Sequence, residues 1–274
     1  MLVVPFVSMG HALCVPDKSG NMGEQNEVFI KAFLTKNFQQ LLELDGAPHD
    51  ITQIREMNFG PGIPMPKWNE SFEKMLKSMD YQSLKPFFSK AKNTFKADIF
   101  INDVAYSLKY ENAANPAIVN HTSRAGFLRV CNRMGENILT LDHIIDHYWN
   151  LRIAGKIKED TKNTDANSPF KDYKNELEWI LRYFIFEGTA SKDSDFPANK
   201  VLSFDDPFDP TTYKILNKRE VIDSIWHKLV FSMRPKGMPA KYDPVKHCEL
   251  APWVRSLPPD YKPRGCLHVR VATH

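Results

Sequence analysis

The segment from Lys96 to Asn112, KADIFINDVAYSLKYEN, constrains the fold more than any other part of the chain. Two short runs rich in β-branched and aromatic residues flank the dipeptide Asn102-Asp103. Both turn residues tolerate a positive φ, which a two-residue hairpin turn requires. The sequence therefore predicts a β-hairpin in which Ile101 pairs with Val104.

The same register places Asp98 directly opposite Ser107. Because side chains alternate along a strand, Ser107, Lys109 and Glu111 are expected on the face that carries Asp98. An acid and a lysine on one face suit metal-assisted phosphodiester hydrolysis. The carboxylate binds Mg²⁺, a hard cation that prefers oxygen ligands, and the lysine orients or deprotonates the attacking water. The alternative is a cross-strand ion pair with no catalytic role.

At these residues the chain resembles the PD-(D/E)XK nuclease superfamily. More narrowly, it is similar to type II restriction endonucleases with short recognition sites, some of which carry Asn or Gln at the middle acid. The resemblance rests on Lys96-Ala97-Asp98, on Ser107-Leu108-Lys109 and on the polar, basic stretch Asn120–Phe127. The sequence departs from the family pattern at Ala97, where the family name has Pro, and at Ser107, which replaces the second acid.

The resemblance implies a Mg²⁺-dependent, sequence-specific endonuclease that cuts double-stranded DNA and leaves 5′-phosphate ends. It assigns the metal to Asp98, with Glu27 from a preceding helix as a further ligand, and it makes Lys109 the catalytic lysine. Ser107 occupies the position of the second acid. Glu24 and Glu111 remain alternatives to Glu27, and the number of metals is left open. The four expected catalytic positions are Asp98, Lys109, Ser107 and Glu27.

Basic residues outside the hairpin are candidate DNA contacts. From Phe208 to Lys246 there are eight Lys or Arg against four acids, and the proline-stiffened loop 233–241 suits insertion into a groove. Arg129 and Arg133 have i, i+4 spacing, so a helix would present both to phosphates or to a guanine edge. The alternative is an ordinary solvated surface. His121 precedes the three arginines that follow the hairpin, and Arg264, His268 and Arg270 near the C-terminus are weaker candidates. The predicted DNA-binding residues are Arg124, Arg129, Arg133, Arg234, Lys236 and Lys241.

Hydrophobic periodicity predicts the remaining elements. We expect an α/β fold with a central mixed β-sheet flanked by helices, in one domain spanning residues 1–274, with the C-terminal third (about 197–274) elaborated for DNA recognition. The segment 177–186 is interpreted as a buried helix or strand, and CLHVRVATH as a final strand. Helices are predicted at about 24–43, 68–79, 137–153 and 219–231.

The composition is that of a globular protein, with 42% hydrophobic and 25% charged residues. A net charge of +3 over 274 residues permits a polyanionic partner without requiring one. The four cysteines are scattered, which argues against a zinc site or a disulfide framework and favours a reducing cytoplasm. No apolar run approaches the length of a membrane span, and residues 1–15 are expected to form a strand or arm rather than a signal peptide.

Two other functional classes stay open. One is a repair nuclease or structure-specific nuclease of the same superfamily, acting without sequence specificity. The other is a non-catalytic nucleic-acid-binding module, for which Ser107 is the main argument. A homodimer matched to a palindromic site and a monomer that nicks each strand in turn are both compatible with the sequence. His143 and His147 have i, i+4 spacing, but they flank apolar residues and are interpreted as structural.

Overall fold

The computed structural model describes residues 21–60, 66–89, 94–113 and 117–272. Within these residues the protein has seven α-helices and nine β-strands in two sheets. The helices are α1 (Met22–Gln39), α2 (Glu70–Ser78), α3 (Tyr81–Phe88), α4 (Arg124–Met134), α5 (Leu139–Ile153), α6 (Lys174–Arg182) and α7 (Lys218–Ile225). The predicted N-terminal strand or arm lies outside the described residues.

The first sheet is mixed and contains the hairpin. Its strand order is β1-β2-β3-β6-β7, with β3 parallel to β6 and every other neighbour antiparallel. The central hairpin is therefore bonded on both sides. The strands are β1 (Met57–Asn58), β2 (Ile99–Ile101), β3 (Val104–Tyr110), β6 (Lys200–Phe204) and β7 (Lys214–Asn217).

The second sheet is antiparallel throughout, with the order β4-β9-β8-β5. Its β4–β9 ladder is irregular, because the register shifts between Val119 and Thr122. The strands are β4 (Ala117–Ser123), β5 (Thr161–Lys162), β8 (Leu229–Arg234) and β9 (Cys266–Val271).

Helices cover both faces of the first sheet. On one face, α1, α2 and α3 form a core with Ile99, Tyr106 and Leu108. On the other face, Val201 of β6 packs with Val221 of α7 in a smaller core. Strand alternation puts Asp98 and Ser107 on this second face. The hairpin face that carries the candidate acid therefore points away from α1.

A third core lies between the second sheet and helices α4, α5 and α6. Phe170 and Phe231 stack inside it with their ring centroids 4.1 Å apart and their planes at 6°. Residues of β4, β8 and β9 all contribute to this core, so it supports the second sheet along most of its strands. The prediction of one domain over residues 1–274 stays a prediction.

A π-helical turn, Tyr183–Glu187, continues α6 and joins two of these cores. Phe184 is buried in the core of the second sheet, and Phe186 is buried on the Val201 face of the first sheet. The Lys96 ammonium, just before β2, donates a hydrogen bond to the Phe184 carbonyl. This short segment therefore contacts both sheets at once.

The predicted α/β class is correct, and the sequence-based helices at 24–43, 68–79 and 137–153 correspond to α1, α2 and α5. The segment 177–186 is helical. The helix predicted at 219–231 is wrong at its C-terminal end, where α7 stops at Ile225 and β8 begins at Leu229. The run Leu229–Met233 is buried on both faces, and a short apolar run does not distinguish a buried strand from a helix.

Across the described residues, none of the helices combines the length and apolar character that crossing a membrane requires.

The hairpin register is the predicted one. Ile101 pairs with Val104, and Asn102 and Asp103 have φ values of 48° and 62°. The Asn102 side chain also ties the turn to the preceding loop. Its Oδ1 accepts a hydrogen bond from the Arg55 N–H at 2.8 Å, and its Nδ2 donates to the Gln53 carbonyl at 2.9 Å.

Replacing Asn102 with Ala is expected to cost about 2 to 3 kcal/mol of stability. The left-handed turn position costs Ala about 1 kcal/mol or more, and the lost hydrogen bonds account for the rest. Asn102→Gly, which keeps the backbone freedom and loses only the hydrogen bonds, is expected to cost about 1 kcal/mol. Urea denaturation of both variants measures the difference, and equal losses would contradict a contribution from backbone strain.

Candidate active site

The Asp98 carboxylate is buried against Ser107. Both residues are almost fully inaccessible, with relative exposures of 5% and 3%. Asp98 Oδ2 accepts a hydrogen bond from Ser107 Oγ at 3.1 Å and a second from the Leu108 backbone N–H at 2.9 Å. Because β2 begins only at Ile99, its backbone does not extend far enough to bond the Leu108 N–H, and the Asp98 side chain accepts this hydrogen bond instead. Asp98 thus closes the open end of the hairpin as well as presenting a carboxylate.

Lys109 lies two residues further along β3, on the same face as Ser107. It is directly in register with Ser203 of the parallel strand β6. Its side chain is exposed, and no other described residue engages it in a hydrogen bond or an ion pair. Lys109 is therefore available to a ligand that approaches this face of the sheet.

Glu111 continues the same face beyond the end of β3. Its carboxylate accepts a hydrogen bond from Ser203 Oγ at 2.8 Å and two from Lys214 Nζ at 3.1 and 3.2 Å. Burial raises the pKa of Glu111, but hydrogen bonds from Ser203 and Lys214 and the charge of Lys228 outweigh this effect, so the net shift is downward. Glu111 is an ionised carboxylate with protein partners already in place.

Glu27 lies on α1, which packs on the opposite face of the first sheet from Asp98. Its carboxylate forms an ion pair with Lys31 at 2.6 Å, and the Lys31 side chain is only 2% exposed. Because Lys31 is buried, Glu27 is needed as its counterion. Glu24 lies in the first turn of the same helix and is exposed. In the structure Glu27 is therefore already paired with Lys31.

A Mg²⁺ ion at Asp98 would have few protein ligands. Among the described residues, no three His, Cys, Asp or Glu side chains lie close enough together to hold a metal. Mg²⁺ is often bound through one or two carboxylates, with waters and substrate phosphates completing the octahedron. Asp98, with the Ser107 hydroxyl beside it, matches the one-carboxylate case. A metal at this point would depend on oxygens of the substrate.

Arg124 is engaged inside the protein. Its guanidinium forms a bidentate pair with Asp142 of α5, at 2.9 and 2.6 Å. The Trp253 indole N–H donates to the same carboxylate at 2.7 Å, and the Trp149 indole donates to the Trp253 carbonyl at 2.6 Å. This buried network fixes α4, α5 and the segment around Trp253 together. Arg124 therefore has a structural partner.

Arg129 and Arg133 lie on α4 with the predicted helical spacing. Arg133 donates to Tyr183 Oη at 2.8 Å and to the Ser191 carbonyl at 2.7 Å. Arg129 is exposed and makes one long hydrogen bond, 3.4 Å, to the Ala190 carbonyl. Of this pair, Arg129 is the more accessible to a phosphate.

Arg234 is the last residue of β8, and Lys236 and Lys241 lie in the segment that follows this strand. Arg234 donates to Glu159 at 3.0 Å and pairs with Asp160. Lys236 and Lys241 are exposed, and neither forms an ion pair with another described residue. The two lysines retain free ammonium groups, whereas the arginine is largely neutralised.

Two residues near the hairpin face were missed by the sequence analysis. Ser203 and Lys214 come from β6 and β7, and strand pairing brings both to Glu111. Nothing in the local sequence marks either residue, because their position depends on the parallel pairing of β3 with β6. The only usable signal was the excess of basic residues after Phe208.

Comparison with protein-family models, with curated proteins and with solved structures found no match to this chain.

Proposed function

We propose that this protein is a Mg²⁺-dependent endonuclease that hydrolyses phosphodiester bonds of double-stranded DNA at a short specific sequence. The observation that carries the proposal is the hydrogen bond from Ser107 to the buried Asp98 carboxylate. Lys109 lies two residues along the same strand face, exposed and without an ion-pair partner among the described residues. The mixed sheet with helices on both faces supports the restriction-endonuclease-like fold that this function implies.

The proposed roles follow from charge and accessibility. Asp98 holds the metal, and the Ser107 hydroxyl keeps the carboxylate oriented by donating to Oδ2. When bound, Mg²⁺ offsets the negative charge that grows on the scissile phosphate. The exposed Lys109 ammonium donates to the attacking water or to a phosphate oxygen. Glu27 lies on the opposite face of the sheet from Asp98 and has a buried lysine as its counterion, so a role as second ligand requires both α1 and the Lys31 pair to rearrange.

A second candidate function is a DNA-binding module without catalysis. The observation that favours it is that Asp98 uses one oxygen to bond both Ser107 and the Leu108 backbone within the hairpin. A carboxylate that closes a strand end contributes to stability without needing a metal. In this case Lys109 contacts phosphates only.

The test is incubation of the purified protein with long double-stranded DNA of mixed sequence, in Mg²⁺ and in EDTA. A sequence-specific nuclease is expected to give discrete fragments in Mg²⁺ and intact DNA in EDTA. Sequencing the fragment ends then gives the recognition site and the stagger of the cut. A protein that leaves the DNA intact with every divalent ion, yet shifts it in a gel in EDTA, supports the binding module instead.

The pattern of products also separates the nuclease classes. A smear, or cleavage confined to branched substrates, indicates a nuclease that does not read sequence. Neither cleavage nor binding of double-stranded DNA under any of these conditions would contradict both proposed functions.

A further inference from the structure

Two histidines from distant parts of the chain stack on the second sheet. The rings of His121, on β4, and His268, on β9, have centroids 4.6 Å apart and planes at 23°. Both side chains are half-buried, and the Nδ1 atom of each is buried with no hydrogen-bond partner among the described residues. A ligand approaching the pair therefore meets the exposed part of each ring and not Nδ1, which solvent does not reach.

The backbone around His121 is distorted in a way that aims this side chain. His121 has a φ of 51°, a left-handed conformation that costs a non-glycine residue about 1 kcal/mol or more. It lies within the register irregularity of the β4–β9 ladder, between Val119 and Thr122. Bulges of this kind redirect side chains and are frequent beside functional sites. From this left-handed position the His121 ring stacks on His268.

The surroundings of the pair carry an excess of positive charge. Three acids are matched by three arginines: Arg234 pairs with Glu159 and Asp160, Arg264 with Glu159 and Asp260, and Arg270 with Asp160. The exposed Lys236 has no ion-pair partner among the described residues. With both histidines neutral, the cluster is left with one positive charge, and protonation of the pair would raise this to three.

Burial lowers the pKa of both imidazoles. The charges of Lys236 and Arg234 lower the pKa of His121 further. At His268, the neighbouring His121, Arg234 and Arg270 lower the pKa after burial, and Asp160 opposes them. Both rings are therefore neutral near pH 7 in the free protein. An arriving anion would reverse this balance, because it favours the charged form of each ring.

We propose that His121 and His268, with Lys236, form a contact for a DNA phosphate that strengthens as the solution becomes more acidic. This inference rests on the DNA binding of the proposed function. A phosphate suits the cluster because the surplus of cations attracts an anion and repels a metal ion. When the solution pH is below 6.5, the ordinary imidazole pKa, the protein is then expected to take up protons as it binds DNA.

The experiment compares duplex binding by wild type and by the double variant His121→Gln/His268→Gln, in EDTA, at about pH 5.5 and about pH 8. Wild type is expected to bind more tightly at the lower pH, by about tenfold for each histidine whose pKa rises by one unit on binding. The double variant is expected to lose this gain. The control is His143→Gln/His147→Gln, two exposed histidines of α5, which should keep the wild-type ratio.

A second measurement does not depend on the variant folding. The imidazole pKa values of wild type are followed by NMR with and without a mixed-sequence duplex, and an upward shift at His121 and His268 is expected. An equal pH dependence in wild type and double variant, or unchanged imidazole pKa values on adding DNA that binds, overturns the inference and leaves the proposed function intact. Failure of wild type to bind DNA at either pH overturns both.

Discussion

Asp98→Asn is expected to reduce DNA cleavage in Mg²⁺ by about a thousandfold or more, while binding of DNA in EDTA is retained. Several kcal/mol of transition-state stabilisation are lost when a neutral amide replaces the carboxylate that holds the metal, and each 1.36 kcal/mol is about tenfold in rate. The amide keeps the shape of the side chain and an oxygen that accepts from the Leu108 N–H. The loss is therefore expected in the chemical step and not in folding.

Lys109→Met provides the companion variant. Because the Lys109 side chain is exposed, its replacement removes no buried contact, and a loss of cleavage cannot be attributed to unfolding. The matched controls are Asp103→Asn at the hairpin tip and Lys77→Met on α2, where the lysine is 59% exposed. Both controls are expected to cleave like wild type.

Single-turnover cleavage of a DNA fragment that carries the recognition site measures these rates. Cleavage by Asp98→Asn within about tenfold of wild type would refute the assigned metal ligand, since a carboxylate that neutralises a catalytic metal is worth far more. Cleavage lost equally in the two control variants would indicate that the assay reports folding and not chemistry.

Asp142→Ala is expected to destabilise the protein by about 3 to 5 kcal/mol, the cost of removing one partner from a buried ion pair. The Asp142 and Arg124 side chains are 12% and 22% exposed. The change would leave the Arg124 guanidinium and the Trp253 indole N–H without their acceptor. Both donors would stay in a region that water reaches poorly.

The matched control for this variant is Asp146→Ala on the same helix. Asp146 pairs with Arg255 at 3.3 Å, but these side chains are 48% and 36% exposed, so the pair contributes at most about 1 kcal/mol. Guanidinium denaturation gives both free energies of unfolding. A loss below about 1 kcal/mol in Asp142→Ala would show that solvent replaces the carboxylate and that the network is not structural.

The hairpin could be predicted because everything that determines it is local. Asn102 and Asp103 tolerate the positive φ values of the turn, and alternation then fixes Asp98 opposite Ser107. Helices α1 and α5 could be predicted for a similar reason, since one apolar stripe identifies each of them. The α/β class followed from these elements.

Side-chain contacts between residues far apart in the sequence could not be predicted in the same way. Trp253 is 111 residues from Asp142, and His268 reaches His121 only through the pairing of β9 with β4. The polar, basic sequence around Arg124 predicts a DNA contact, and nothing nearby indicates that Asp142 binds it. Pairing partners of this kind depend on the completed fold.

The second sheet was missed because β8, one of its two central strands, resembles the end of a helix. The apolar spacing of residues 219–231 predicts one helix. In the structure α7 ends at Ile225, and β8 is buried on both of its faces. The strands that pair with β8 are β9 and β5, and β5 is only two residues long. A strand this short has no period to detect.

The π-helical turn Tyr183–Glu187 has a mechanical consequence. Phe184 and Phe186 are anchored in different cores although only one residue separates them. A torque applied to one sheet is therefore transmitted to the other through two buried rings instead of being absorbed by a compliant linker. The two sheets should respond to load as a stiff pair, since rotating one against the other requires an aromatic ring to leave its close-packed core.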